Sequence, residues 1–165
     1  MKNIQVIKAD ITTLDVDAIV NAANSELKAG GGVDGAIHAA CGEELAKELA
    51  EAGGCPVGEA RLTRAYNIPA EFIIHAVGPK WEGGANGEAD LLEKCYIYAL
   101  SLALENECKS IAFPCISTGI FGYPKIEAAI TATSAVKSFD AIEEFDDVIF
   151  CCFDDESYEI YKTIL

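Results

Sequence analysis

Two segments of the chain place glycines beside amide and carboxylate side chains, a combination suited to holding an anion. In the first, an apolar run ends at Asn21, the first residue of the block Asn21-Ala22-Ala23-Asn24, and this block is followed by Gly30-Gly31-Gly32-Val33-Asp34-Gly35. Consecutive glycines let the backbone approach a ligand and turn several N–H groups toward it. The helix predicted after them, which carries Ala36, Ile37 and Ala40, adds a partial positive charge at its start. Together these features predict a phosphate site.

The triple glycine also has a structural interpretation, because flexible turns contain such runs. No Gly-Lys-Ser/Thr follows it, so it is not a P-loop, and the G-x-G-x-x-G spacing of a dinucleotide fingerprint is absent. A second glycine-containing segment, Ser117 to Pro124, follows the apolar run Ile111-Ala112-Phe113 and precedes a predicted helix. Open α/β sheets bind ligands at the carboxyl ends of their strands, so two such loops would suit the two phosphates of a pyrophosphate. An ordinary strand-to-helix connection is the alternative for this loop.

These loops need a sheet to hold them, and the chain supplies short apolar runs that alternate with helical patterns. The apolar runs predict strands over 4–8, 18–21, 60–65, 72–77, 110–113 and 148–153. Besides the helix after the glycines, helices are predicted over 43–52, 89–105, 125–138 and 155–165. Strands alternating with helices indicate an α/β fold, a three-layer α/β/α sandwich.

Composition limits the classes of function. The 165 residues fit one domain, and 27 acidic against 12 basic side chains give a net charge of −15. This charge argues against broad nucleic-acid binding and against binding to anionic membrane surfaces. No apolar run reaches the roughly 18 residues of a membrane span, and the N-terminus shows no signal-peptide pattern, so we expect a cytoplasmic protein.

We assign structural rather than catalytic roles to the cysteines and histidines. The seven cysteines include no CxxC pair, and neither histidine joins a metal-type cluster, so we expect buried free thiols in a reducing compartment. A catalytic cysteine is the less favoured alternative, since no motif places a histidine partner. We interpret His38 and His75 as packing residues. The glycine-rich stretch 83–87 predicts a mobile surface loop.

Four segments occur here in an order that resembles the macrodomain family. They are Ala9-Asp10-Ile11-Thr12, the Asn21–Asn24 block, the Gly30–Gly35 block and the Ser117–Pro124 loop. The match is strongest to the subgroup that includes bacterial O-acetyl-ADP-ribose deacetylases and mono-ADP-ribosyl hydrolases, and it runs from Ile4 to the final helix. The resemblance implies a single macrodomain over 1–165 with a mixed central sheet.

The same resemblance implies an ADP-ribose-binding hydrolase. It would cleave the ester between the distal ribose and an acyl group or a protein Asp or Glu side chain. Its partners would be ADP-ribose, O-acyl esters of ADP-ribose and mono-ADP-ribosylated proteins, with no nucleic acid and no membrane. The family's zinc-containing branch uses Cys and His ligands around the catalytic loop, and this loop offers none. We therefore predict no metal and no cofactor, and we expect a monomer.

The resemblance also assigns roles to individual residues. Asp10 would accept a hydrogen bond from the adenine amino group, with the Ile11 backbone beside it and Phe153 against the adenine face. Asn24 would hold the distal ribose and Asp34 would orient or activate the attacking water, so these two are the catalytic candidates. The remaining candidates would line the pyrophosphate from two sides: Gly31, Gly32, Val33, Ser117, Thr118, Gly119, Ile120 and Phe121.

Two departures from the family pattern and two competing functions stay open. Relatives usually have Gly at the position of Ala9 and often Tyr at that of Phe121, which leaves acyl preference and rate in question. A non-catalytic ADP-ribose reader and a phosphatase acting on phosphorylated ADP-ribose are the alternatives. The presence of both Asn24 and Asp34 favours the hydrolase.

Asp34 lies near a predicted helix start, which favours its ionised form and makes it a weak base. It is therefore better suited to positioning a water than to strong proton abstraction, and a substrate phosphate oxygen would assist it. On this basis Asp34→Ala is expected to suppress turnover while leaving binding mostly intact.

Overall fold

A computed structural model describes residues 3–165 of the chain. Its six strands are β1 (Ile4–Lys8), β2 (Ala18–Ala23), β3 (Ala60–Arg64), β4 (Phe72–Val77), β5 (Ser110–Phe113) and β6 (Asp147–Cys152). They form one sheet in the order β1-β6-β5-β2-β4-β3. Every neighbouring pair is parallel except β3 and β4, which are antiparallel. The mixed sheet is therefore confirmed.

Five helices cover the two faces of this sheet. They are α1 (Gly32–Cys41), α2 (Glu44–Ala52), α3 (Glu88–Glu105), α4 (Lys125–Ser138) and α5 (Asp155–Ile164). One core lies between the sheet and α1 with α2, and a second core lies between the sheet and α3, α4 and α5. The three-layer α/β/α sandwich is confirmed.

The element positions follow from the apolar patterns. The predicted inner face of α3 is buried along its whole length, from Leu92 through Tyr96 to Ala103. β6 lies inside the sheet and is buried at five consecutive residues, as a strand covered on both faces should be. Four strand limits differ from prediction: β2 continues to Ala23, β3 ends at Arg64, and β6 begins at Asp147 and ends before Phe153.

The parallel strands set the position of the site. β1, β2, β5 and β6 all point the same way, so the segments that follow them leave from one edge of the sheet. Those segments are the short 3-10 turn Ile11–Thr13, the glycine run before α1, the connection to α4 and the connection to α5. This is the edge where open α/β sheets bind ligands. Within residues 3–165, none of the helices has the length and apolar character needed to span a membrane.

Candidate functional site

A cleft of about 530 Å³ opens at the carboxyl edge of the sheet. Its size falls in the range of small-molecule sites. The structure brings every predicted site residue to its wall, and these come from all four connections: Asp10, Ile11, Asn24, Gly31, Gly32, Val33, Asp34, Ser117, Thr118, Gly119, Ile120, Phe121 and Phe153.

The first wall is the glycine run that leads into α1. The N–H groups of Gly31, Gly32 and Val33 make no hydrogen bond within residues 3–165, as the geometry of a helix start requires. Gly32 has φ +59°, a left-handed conformation that favours glycine. A Cβ on Gly35 would lie only 2.6 Å from the Gly30 carbonyl oxygen, so that position also needs glycine. The run therefore presents three free backbone donors to the cleft.

The second wall is the loop from Ser117 to Phe121. Its N–H groups at Gly119, Ile120 and Phe121 have no partner in the described part of the chain. Ser117 is held at φ +69°, a conformation rare for residues other than glycine, and its buried hydroxyl makes no hydrogen bond there. Strained backbone of this kind concentrates at ligand-binding sites.

The two walls face each other closely. A Cβ built on Gly31 would lie 3.9 Å from Cδ1 of Ile120. Behind the second wall, a Cβ on Gly78 would overlap Ser117 Oγ and lie 2.6 Å from Ile116 Cγ2, so only glycine lets the loop pack there. Among residues 3–165, six unpartnered N–H groups, three from each wall, thus belong to residues that line one cleft.

Among residues 3–165, no basic side chain lines this cleft, whereas the carboxylates of Asp10, Asp34 and Asp154 do. The nearby Lys125 ammonium is engaged by Glu156 at 2.8 Å and by Asp154 at 3.6 Å. The backbone N–H of Ser157, with help from Lys125, holds the pKa of Asp154 below its ordinary value. An anion in the cleft would therefore be held by main-chain donors and the start of α1 rather than by cationic side chains.

Asp34 is a buried carboxylate on the wall of the cleft, 5% exposed. Its Oδ1 accepts a hydrogen bond from Asn21 Nδ2 at 2.7 Å, and its Oδ2 accepts one from the Gly30 N–H at 2.7 Å. His38, one turn further along α1, places Nε2 3.3 Å from Oδ1. A carboxylate has about four acceptor sites, so two such bonds fix its orientation and leave capacity for a water.

Asn24 lies beside Asp34 and also shapes its own loop. Its Nδ2 donates to the Lys28 carbonyl at 2.7 Å, and its Oδ1 accepts from the Lys28 N–H at 3.1 Å. The turn that these bonds close contains Leu27 at φ +59°. One N–H and one lone pair of the amide remain for a ligand.

The residues predicted to hold the adenine also line the cleft. Oδ1 of Asp10 accepts from the N–H of Thr12 at 3.0 Å and from its hydroxyl at 2.7 Å, which caps the 3-10 turn. Oδ2 makes no hydrogen bond within 3–165. Phe153 is 84% exposed and Ile120 90% exposed, so large apolar surfaces stand open at the mouth. A flat aromatic ligand would cover them.

Sequence reasoning missed the surroundings of Asp34. It assigned both histidines to packing, yet His38 adjoins the carboxylate and His75 contacts its partner Asn21 at 3.1 Å. The spacing of four residues between Asp34 and His38 on one helix was the available signal for the first contact. The contact of Asn21 with His75 depends on the pairing of β2 with β4, which no local pattern reveals.

The loop at 83–87, predicted to be mobile, is held by a buried carboxylate. Glu88 accepts three backbone N–H groups from this region at distances between 2.7 and 3.0 Å. These bonds lower the pKa of Glu88 to about 2. Trp81, just before the loop, donates its backbone N–H to the Phe121 carbonyl at 2.8 Å, and its ring packs against that of Tyr123 with 4.7 Å between the ring centroids. The loop therefore supports the second wall from behind.

The seven cysteines are free thiols, six of them buried and Cys115 half-buried. Burial raises the pKa of Cys41 and Cys151 to about 11 and that of Cys95 to about 12. Across the described ranges, no three His, Cys, Asp or Glu side chains are grouped so as to hold a metal ion.

A family model, curated relatives and solved structures all relate the chain to the same family. Residues 20–132 match the model of the Macro domain family. A Macro domain-containing protein of Chlorobaculum tepidum is 55% identical over 98% of this chain and 95% of its own length. The ADP-ribose glycohydrolase MACROD2 of Xenopus laevis is 51% identical over 96% of this chain but only 38% of its own length. The solved Trypanosoma brucei macrodomain in complex with ADP-ribose superposes with a TM-score of 0.92 at 42% identity, covering 98% of this chain and 68% of that one.

Proposed function

Because the chain belongs to the Macro domain family, we propose that it binds ADP-ribose in the cleft and hydrolyses an ester on the distal ribose. The ester would join that ribose to an acyl group or to an Asp or Glu side chain of a modified protein. The observation that carries the proposal is that six unpartnered backbone N–H groups share one cleft with Asn24 and the buried carboxylate of Asp34.

The binding mode follows from the layout of the cleft. The diphosphate lies between the two glycine-containing walls, where each N–H bond to a charged oxygen contributes roughly 1.5–3 kcal/mol. The adenine lies on Phe153 with its amino group toward the free Oδ2 of Asp10. The distal ribose then reaches Asn24 and Asp34 at the far end. A structure of a relative in complex with ADP-ribose supports this choice of ligand.

The chemistry is the addition of water across the ester bond. The water attacks the acyl carbon, the bond to the ribose oxygen breaks, and a carboxylic acid and a free ribose hydroxyl leave. Asp34 orients the water through the lone pairs that Asn21 and Gly30 leave unoccupied. Holding a reactant in this way lowers the barrier without requiring a strong base.

One assay tests the proposal. The protein is incubated with a mono-ADP-ribosylated acceptor modified on carboxylates and, separately, with O-acetyl-ADP-ribose, and free ADP-ribose is quantified over time. We expect release from an ester substrate and loss of release in Asp34→Asn. Tight binding of ADP-ribose with no release from either substrate would instead identify a reader. Release of inorganic phosphate from phosphorylated ADP-ribose alone would identify a phosphatase.

A further inference from the structure

A chain of buried hydrogen bonds crosses three strands and ends at Asp34. Asn21 Nδ2 donates to Asp34 Oδ1 at 2.7 Å and lies 3.1 Å from Nδ1 of His75. The other ring nitrogen of His75, Nε2, lies 2.9 Å from Oγ1 of Thr63, and that hydroxyl donates to the Arg64 carbonyl at 3.0 Å. Asn21 and His75 are fully buried and Thr63 is 3% exposed.

The carboxylate fixes the direction of every bond in this chain. A carboxylate only accepts, so the amide nitrogen of Asn21 must face Asp34, and its second N–H then points at His75. Nδ1 of His75 must therefore be the acceptor, which places the ring proton on Nε2. Nε2–H donates to Thr63, whose own proton goes to the Arg64 carbonyl. Each donor in the chain has one acceptor, and no other tautomer satisfies both ends.

We propose that His75 and Thr63 are positioning residues for catalysis: they lock the Asn21 amide in the orientation that holds Asp34 toward the distal ribose. This inference rests on the proposed hydrolase function. Neither residue lines the cleft, so neither touches substrate, and both act through Asn21.

The ring must stay neutral for this arrangement, because a protonated Nδ1 would face the Asn21 N–H. Burial, reinforced by the nearby His38 imidazole, lowers the pKa of His75 to about 3. The ring is therefore neutral throughout the range in which an ester hydrolase would be assayed.

A role in packing alone would not require His75 to offer an acceptor nitrogen to Asn21. Oδ1 of Asn21 has no hydrogen-bond partner among the residues described, so the amide is held only through its two N–H groups. Removing the His75 acceptor leaves one N–H without a partner in the core. The amide is then held by the bond to Asp34 alone, so neither side chain keeps a fixed orientation. An ångström of misplacement in a reacting group lowers a rate by up to roughly 100-fold.

The test uses the full chain and four variants. His75→Leu removes the acceptor, whereas His75→Asn keeps an acceptor oxygen near the position of Nδ1. Thr63→Val removes only the hydroxyl. Thr133→Val is the matched control, because Thr133 is an equally buried threonine whose hydroxyl bonds Ala129 on α4, outside the chain that leads to Asp34. Melting temperature, ADP-ribose Kd and kcat on the ester substrate are measured for each.

We expect His75→Leu to lower kcat at least about tenfold while Kd changes less than about threefold, because transition-state stabilisation falls while ground-state binding is kept. His75→Asn should recover most of that loss. Thr63→Val should lower kcat by a smaller factor, and Thr133→Val should leave it unchanged. A wild-type kcat in both His75→Leu and Thr63→Val would overturn the proposal, as would losses that merely follow melting temperature across all four variants.

A second readout does not depend on turnover. The side-chain amide signals of Asn21 in a ¹H–¹⁵N spectrum should move in Thr63→Val and His75→Leu and return toward wild type in His75→Asn. Unmoved signals in both would overturn the positioning role. Wild-type protein that binds ADP-ribose but releases none overturns the hydrolase proposal instead, so the two failures are distinguishable. Thr63→Val carries the test if His75→Leu does not fold.

Discussion

Replacing Asp34 with Asn removes the charge of the cleft carboxylate and keeps its shape. In any orientation, the new amide turns an N–H toward either Asn21 Nδ2 or the Gly30 N–H, each of which now lies 2.7 Å from a carboxylate oxygen. One buried donor is left unsatisfied, which costs about 1–3 kcal/mol of the free energy of unfolding. We expect kcat to fall at least about 100-fold, the lower end of what a positioned acid–base group contributes. The ADP-ribose Kd should change less than about fivefold, because the six N–H groups stay in place.

Replacing Asp34 with Ala should behave differently. The alanine removes both charge-assisted acceptors, a loss of roughly 3–6 kcal/mol if each bond is worth about 1.5–3. It also frees the Gly30 N–H at the base of the first wall. Affinity should therefore fall along with turnover, whereas the sequence alone led us to expect binding mostly intact. The revised expectation rests on the contacts of this carboxylate, which lines the cleft and also accepts the Gly30 N–H.

The assay is ADP-ribose release under single-turnover conditions, with calorimetry for Kd. Asp17→Asn is the control, because Asp17 Oδ2 also accepts two backbone N–H groups, from Lys109 at 2.6 Å and Ser110 at 3.2 Å, at the opposite edge of the sheet. We expect this control to lose stability and keep its turnover. The reasoning is refuted if Asp34→Asn turns over within a few-fold of wild type, or if both variants lose the same activity.

Three further changes probe the walls and their support. Gly78→Ala should lower the melting temperature and weaken ADP-ribose binding at least about tenfold by calorimetry, because its Cβ overlaps Ser117 Oγ. Gly119→Ala is the control: its Cβ meets nothing within 4 Å, so the melting temperature should not change. Equal effects of the two substitutions would contradict the close packing of Gly78 against Ser117. Phe153→Ala should weaken binding by roughly 1–3 kcal/mol through lost stacking without altering the melting temperature, since the ring is exposed; unchanged affinity would remove it from the adenine site. The Glu88 pKa is lowered from 4.5 to about 2, so its contribution to stability is full above pH 4.5 and is lost as pH falls toward 2. Between these pH values, the melting temperature should decline less steeply in Glu88→Gln than in wild type. Parallel declines would refute the stabilising role of the Glu88 carboxylate.

The fold was largely predictable because its strands are short apolar runs, and α2 and α5 carry clear amphipathic faces. The limits of β4, β5 and α4 agree with prediction. The antiparallel direction of β3 has no local signature, since it is set by the pairing of Thr63 and its neighbours with β4. Only the family resemblance implied a mixed sheet.

The parts of the candidate site that consist of glycine-rich loops could be predicted from the sequence. The parts that depend on how the strands pair in the sheet were missed. Gly31 and Gly119 mark loops that must come near a ligand, and both line the cleft. The link from His75 to Asp34 joins residues on β4, β2 and α1, so only the assembled sheet reveals it. Glu88 looks in sequence like any acidic residue at a helix start, although its carboxylate is buried and organises a loop.

The most direct measurement is calorimetry of ADP-ribose binding at about 50 mM and at about 500 mM salt. In the described part of the chain, no Lys or Arg side chain lines the cleft. We therefore expect main-chain donors to hold the diphosphate, and such short-range contacts are screened little. We expect Kd to change less than about threefold between the two conditions. Counterion release from basic contacts would make Kd rise steeply with salt. Such a rise, or the absence of any binding heat, would contradict the proposal that backbone N–H groups hold the diphosphate.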